Sequence, residues 1–360
     1  MDTREKQLLN DYQRVFPLTP RPFREVGNAL GVSESTVISM LNRLITNGKV
    51  SRVGATFVPG RVGATMLGAL SVPDARLLEV AEIVNAYPEI NHNYEREHAF
   101  NLWFVATSES EREVEGVMRE IQRVAGCGPA LFLPAVESYH VDLGFDLAAS
   151  PGEERVRQHP EALAPIELST AERSLVAVLQ DGLPLRPAPY AELARSTGMT
   201  EADVIHWIGR SLRQRLLDRF GVIVNHRELG YQANAMVVWD VPSPQIPDIG
   251  RRVAALDFVT LCQRRLRRHL PYWRYNLYCL IHGKDRGEVM RYVARLRSEC
   301  RLARYPEQVL FSRQCFRQRG ARYLKSQSPR PRELATKSFA DRLLSRFMPA
   351  GMRPFSPKRS

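Results

Sequence analysis

Residues 17–63 and 184–230 are two versions of one stretch. They align without a gap at an offset of 167, and 13 of the 47 positions are identical. The matches include Pro17/Pro184, Leu18/Leu185, Pro20/Pro187, Pro22/Pro189, Glu25/Glu192, Gly31/Gly198, Arg43/Arg210, Gly54/Gly221 and Gly63/Gly230. Farther on, Asn101-Leu102-Trp103 answers Asn276-Leu277-Tyr278 at an offset of 175. Whatever one copy folds into, the other must fold into as well. Two like units on one chain pack as a pseudo-symmetric pair, so a site between them is lined by non-identical halves.

Each copy opens as a helix–turn–helix. In the first, residues 23–30 form a short amphipathic helix and Gly31 turns the chain. Ser33 caps a second helix with Val37, Met40, Leu41, Leu44 and Ile45 at helical spacing, and Asn47-Gly48 stops it. Residues 49–58 read as a β wing. The second copy repeats this with helices over 190–197 and after Thr200, and a wing over 219–225; His206 and Trp207 read as helix packing. The pattern then becomes strand, helix, strand, strand, helix, strand. Strands are expected at 65–72, 90–95, 101–107 and 130–141, with helices at 74–86 and 109–124. In copy two the strands are expected at 233–241, 259–264, 275–281 and 308–316, with helices at 248–256 and 285–300. This order predicts an α+β chain of two tandem units. Each is a winged helix–turn–helix followed by a ferredoxin-like βαββαβ domain with helices on one face of an antiparallel sheet. The expected divisions are 1–62 and 63–147 for copy one, a linker at 148–168, and 169–229 and 230–325 for copy two. A basic Pro/Arg/Ser-rich tail at 326–360 is expected to be partly disordered.

Charge divides the copies. The chain carries 51 Lys+Arg against 39 Asp+Glu, net +12. Residues 181–360 hold 34 basic and 15 acidic side chains and residues 1–180 hold 17 and 24, so the basic half wants an anionic partner. No apolar run is long enough for a membrane span, and the N-terminus lacks an apolar signal core. Five cysteines form no CxxC pair. A reduced cytoplasmic protein without a cysteine metal site is the expectation.

A helix–turn–helix before a ferredoxin-like domain resembles the Lrp/AsnC family of transcription regulators. Three narrower stretches are similar to the siroheme decarboxylases, Lrp-like proteins found as paired subunits or as a fused two-copy chain. The first runs Asn91-His92-Asn93-Tyr94-Glu95-Arg96-Glu97-His98-Ala99-Phe100. The second comprises Cys262-Gln263-Arg264-Arg265, then Tyr272-Trp273-Arg274-Tyr275-Asn276 and Ile281-His282-Gly283. The third is Gly230-Tyr231-Gln232-Ala233-Asn234. The resemblance covers roughly residues 10–325. It implies conversion of siroheme to 12,18-didecarboxysiroheme in the assembly of heme d1 for denitrification, with no added metal or organic cofactor. It also implies an internal pseudo-dimer. A homodimer of fused chains and contact with other proteins of the pathway are further expectations.

The residues suit that chemistry. Siroheme carries acetate and propionate arms on a flat ring, and a protein holding it needs cations and apolar faces. Residues 251–325 contain 19 Lys+Arg and 5 Asp+Glu, interleaved with Tyr272, Trp273, Tyr275, Phe311 and Phe316. Arginine binds carboxylates bidentately, so Arg264, Arg265, Arg267 and Arg268 are expected to clamp arms, with His269, Tyr272, Trp273 and His282 nearby. Decarboxylation needs a proton for the carbon left behind, and histidine is suited to deliver it. His98 is the expected general acid, with Arg96 and Tyr94 placing the carboxylate. Plainer roles stand beside these: a loop cap for His92 or His98, a strand end for His282, core packing for Tyr272 and Trp273, a solvated strand edge for the arginines. A basic wall with aromatics also fits single-stranded nucleic acid. The alternative function is an Lrp/AsnC-type DNA-binding regulator sensing a small anion. Against it, the helix after Ser33 offers Ile38, Ser39, Met40 and Asn42 early and only Arg43 as a cation, a poor surface for reading bases.

Overall fold

The computed structural model describes residues 1–58, 60–141, 165–225, 231–267 and 273–324. Most of the expected linker and all of the 326–360 tail lie outside these.

Copy one begins with α1 (Thr3–Asp11), α2 (Pro22–Leu30) and α3 (Glu34–Thr46). Copy two begins with α6 (Thr170–Leu179), α7 (Pro189–Thr197) and α8 (Glu201–Arg213). The local reasons repeat. Pro22 and Pro189 occupy the first helical turn, where no amide hydrogen is needed. Gly31 and Gly198 close those helices at φ 66° and 71°. α1 and α6 were not foreseen, although capping boxes announce both. Asp2 pairs reciprocally with Glu5, and Ser169 with Glu172.

The expected wings are single strands, β1 (Val50–Phe57) and β6 (Leu217–Val224), and they pair with each other. Gly54 lies opposite Gly221, so the repeat's own register becomes the register of the ribbon. The helices of both copies pack around this ribbon in one apolar core, which includes Leu8, Phe23, Leu41, Tyr190, Trp207 and Phe220.

After the ribbon, copy one runs β2 (Ala64–Leu70), α4 (Leu77–Ala86), β3 (Ile90–Arg96), β4 (Leu102–Ser108), α5 (Glu111–Ala125) and β5 (Ala130–Val141). Copy two runs β7 (Ala233–Trp239), α9 (Ile246–Ala254), β8 (Val259–Arg265), β9 (Leu277–Gly283), α10 (Arg286–Glu299) and β10 (Glu307–Gln318). The sheet orders are β3-β4-β2-β5 and β8-β9-β7-β10. Helices cover one face of each. Leu102, Phe104 and Ala106 of β4 point to α4 and α5, and Leu277, Cys279 and Ile281 of β9 point to α9 and α10. The other faces meet each other, because the two sheets close into one eight-stranded antiparallel barrel.

Two long strands make the closure. The first half of β5 pairs with β2 and the second half with β8, from Ala135 opposite Arg265 to Val141 opposite Leu261. β10 does the same, pairing with β7 and then with β3, from Ser312 opposite Arg96 to Gln318 opposite His92. Side chains follow the exchange. Tyr139 of copy one sits in the core of copy two, and Phe316 of copy two packs on the core of copy one.

Candidate functional site

One end of the barrel is filled by aromatic rings. Trp103 and Trp273 stand 5.3 Å apart between centroids, with Tyr275 at 5.0 Å and Phe100 at 5.9 Å from Trp273. Their polar atoms are satisfied: Trp103 Nε1 donates to the Phe100 carbonyl at 2.6 Å and Trp273 Nε1 to the Tyr278 hydroxyl at 2.8 Å. Toward the other end the interior opens into a cavity of about 1350 Å3, roofed by the β1–β6 ribbon and walled by strands of both copies.

Strand alternation decides which side chains face it. β3 presents His92, Tyr94 and Arg96, β8 presents Leu261, Gln263 and Arg265, and β9 presents Tyr278, Leu280 and His282. His140 comes from the second half of β5. From the ribbon come Arg52 and Arg219, which are equivalent at the repeat offset of 167.

Arg96 and Arg265 occupy matching places and are both buried. Arg96 Nη1 donates to the Leu310 carbonyl at 2.9 Å, with its guanidinium 5.7 Å from the Tyr94 ring centroid. Arg265 donates to the Leu133 carbonyl at 2.5 Å and to Gln263 Oε1 at 2.6 Å, with its guanidinium 5.5 Å from the Tyr278 centroid. Neither has a carboxylate partner among the described residues, and burial pushes both down to about 10. Arg265 Nε has no partner among those residues. Arg52, also pushed down to about 10 by burial and by Arg219, has an unpartnered Nε as well. Buried donors without acceptors are costly, and both arginines belong to the cavity wall.

The histidines differ between copies. Burial lowers His92 to about 4. Its ring stacks on Tyr94, 6.2 Å between centroids, and its remaining open surface faces the cavity. Tyr94 donates its hydroxyl to Gln318 Oε1 at 3.1 Å. His282 is buried, with Nδ1 3.0 Å from Thr260 Oγ1. The matching pair in copy one is Asn91 and Thr107, 3.2 Å apart, so a histidine stands in copy two where copy one has threonine.

The structure brings Tyr94, Arg96, Arg265 and His282 to the cavity and places other expected residues elsewhere. His98 is not in the cavity lining. It lies between Phe100 (6.0 Å, stacked) and Trp273 (5.5 Å, edge-on), and its Nδ1 accepts the Phe100 amide at 3.0 Å. Trp273 is buried in the aromatic plug. The arginine run divides by strand geometry. Arg264 points away from the cavity, 3.9 Å from Glu137. Arg267 ties the loop to Asp240 and donates to the Val241 carbonyl at 3.0 Å. Arg268, His269 and Tyr272 lie outside the described residues. The sequence reading missed Arg52, Arg219 and His140; the identity of Arg52 and Arg219 across the repeat was the available signal. Among the described residues no helix is long and apolar enough to cross a membrane.

Known proteins share this architecture. The siroheme decarboxylase NirDL-like HTH domain model matches residues 5–50 and 172–217, and the AsnC-like ligand binding domain model matches residues 61–140 and 228–317. The siroheme decarboxylase NirDL subunit of Paracoccus pantotrophus is 41% identical over 323 residues, covering 89% of this chain and 97% of that protein. The siroheme decarboxylase NirD subunit of Pseudomonas aeruginosa is 44% identical over 150 residues, 42% of this chain and 99% of its own length. Among solved structures, siroheme decarboxylase NirDL in co-complex with an iron-uroporphyrin III analogue superposes with a TM-score of 0.64 at 26% identity, over 96% of this chain and 99% of that one.

Proposed function

This chain belongs to the siroheme decarboxylase family, and we propose that its central cavity holds siroheme while the acetate arms at C12 and C18 lose CO2. The product is 12,18-didecarboxysiroheme, an intermediate on the way to heme d1. One observation carries the reading. The cavity is shared by both copies, and four of its cations form equivalent pairs, Arg52 with Arg219 and Arg96 with Arg265. A flat ring with carboxylates around its rim suits paired guanidinium forks. The relative solved with an iron-uroporphyrin III analogue supports a macrocycle of that class.

In each decarboxylation the bond between the methylene and the carboxylate carbon breaks. CO2 leaves, and the electron pair stays on the methylene carbon, where the conjugated ring spreads it. A proton then turns the methylene into a methyl group. Arg96, beside Tyr94, holds a carboxylate on the copy-one side, and Arg265 with Gln263 does so on the copy-two side. The proton comes from a cavity histidine rather than from His98. Burial, which lowers His92 to about 4, keeps its ring neutral at pH 7. Carboxylates arriving beside it favour its charged form, so substrate and proton enter together. His282, oriented by Thr260, and His140 serve the copy-two side. The iron belongs to the substrate, and because the ring takes the electron pair the scheme needs no other cofactor.

The test is anaerobic incubation of desalted, chelator-treated protein with siroheme, followed by mass spectrometry. Loss of two CO2 from the substrate is expected. Unchanged siroheme, with salt-sensitive and sequence-specific DNA binding by the same preparation, would overturn the reading. The relatives matched along nearly the whole chain are decarboxylases, which displaces the regulator suggested by the domain order alone.

A further inference from the structure

Arg215 follows α8 and lines the cavity with φ 54°, in the left-handed region. Its equivalent in copy one, 167 residues earlier, is Gly48, which also lines the cavity and has φ 73°. The two turns are otherwise the same. Gly48 and Lys49 donate their amides to the carbonyls of Ile45 and Leu44, while Arg215 and Leu216 donate to those of Leu212 and Ser211. Glycine adopts this conformation freely, and a residue with a Cβ does so at a cost.

Strain alone does not mark a site. Arg301, after α10, has φ 56° where copy one has Gly126 at φ 55°, and it is exposed and away from the cavity. Two features separate Arg215 from it. The residue is half-buried and lines the cavity, and its guanidinium makes no hydrogen bond or ion pair with any described residue. The neighbouring wall is built to hold this turn in place. Arg61 of copy one, itself in the wall, donates Nη2 to the Gln214 carbonyl at 2.9 Å. The acids of the same wall do not pair with Arg215: Thr56 donates to Asp218 at 3.5 Å, and Glu109 is held by Arg173 at 2.7 Å.

We propose that Arg215 is a substrate-binding residue, an arginine kept in a glycine conformation so that its guanidinium meets a carboxylate arm of the tetrapyrrole. The inference rests on the cavity being the siroheme site. Because copy one has glycine at this place, the grip is one-sided. One edge of the ring is held toward copy two, and Arg215 selects among the orientations that the near-symmetric Arg52/Arg219 and Arg96/Arg265 pairs leave open.

The experiment compares Arg215→Gly, Arg215→Lys and Arg301→Gly in the full chain by anaerobic steady-state turnover of siroheme and by thermal unfolding. Both glycine variants relieve the same backbone strain and are expected to unfold about one or two degrees higher. Arg215→Gly should raise KM about three- to tenfold, as loss of a charge-assisted contact does, with kcat little changed. Arg215→Lys, which keeps the charge and the strain, should recover most of the KM. Arg301→Gly should leave KM at the wild-type value. Wild-type KM in Arg215→Gly overturns the proposal, as does an equal rise in Arg301→Gly. A wild-type protein that leaves siroheme unchanged overturns the reading of the cavity itself.

Discussion

Arg96 and Arg265 are charges held by carbonyl oxygens, amide oxygen and ring faces rather than by acids. An uncompensated buried cation opposes folding, so its removal need not harm the fold. Arg265→Met is expected to leave thermal stability unchanged or raise it by about 1 kcal/mol. The same change should weaken siroheme binding at least about tenfold, read by titrating the Soret band; equal losses of stability and affinity would assign Arg265 to packing instead. His92 gives a pH signature. Its folded value is about 4, against about 6.5 when unfolded. Between those values the unfolded chain binds more protons, so stability is intact above pH 6.5 and lost as pH falls toward 4. His98, lowered by burial as well, adds to the slope. His92→Gln should flatten the slope by roughly 1 kcal/mol between pH 6.5 and 4, allowing for the ring surface open to the cavity. It should also slow single-turnover formation of the protonated, decarboxylated product about a hundredfold, whereas His98→Gln should leave that rate nearly unchanged. At this scale the sequence showed which residue types gather but not which way they point. Arg264 and Arg265 are neighbours in a run that reads as one clamp, and the pleat sends them to opposite faces.

Asn101 and Asn276 show what a repeated motif can mean at the level of elements. Each stands just before a central strand and closes a pair of hydrogen bonds on one backbone residue. Asn101 binds the amide and carbonyl of Val72 at 2.9 and 2.8 Å. Asn276 binds those of Val241 at 2.9 and 2.8 Å. The duplicated Asn-Leu-aromatic triplet therefore anchors the end of β2 to the start of β4, and of β7 to β9. Substituting either asparagine by alanine removes both bonds and strands a peptide group. The expected cost is about 2 kcal/mol for Asn276, which is the more buried of the two, and somewhat less for Asn101; urea unfolding of each variant measures it. Helices and strands were legible because periodicity and caps are local. α1 and α6 escaped because their apolar faces are short, although Asp2–Glu5 and Ser169–Glu172 spell out the caps. The wing segments are strands where the sequence places them, and only their pairing was out of reach. A strand's sequence gives its two faces but not its neighbour, and the neighbour of β1 lies in the other copy.

Across the whole molecule the repeat was legible and the closure was not. The order β-α-β-β-α-β describes two separate sheets equally well. The hint that they join is the 12-residue length of β5 and β10, each too long for its own sheet and split between two partners. Because so many pairings cross between copies, the covalent link is expected to be dispensable once the barrel exists. A specific protease site introduced near residue 155, cut after folding, should give two fragments that elute together at the size of the intact chain and still decarboxylate siroheme. Separation of the fragments on a sizing column would show that the cross-copy strands do not hold. Copy one is acidic and copy two basic, and linkage raises the effective concentration of the unlike partner, which disfavours like-with-like pairs.

The last strand has a consequence in time. The wall beside β3 is made by Ser312–Gln318 of β10, which follows every other strand of the barrel, and domains generally form from the N-terminus as a chain emerges from the ribosome. No cavity can exist on a nascent chain that has yet to deliver β10. Whatever the cavity takes up can be held only after β10 has paired with both of its neighbours, because a chain that stops short of it lacks that wall.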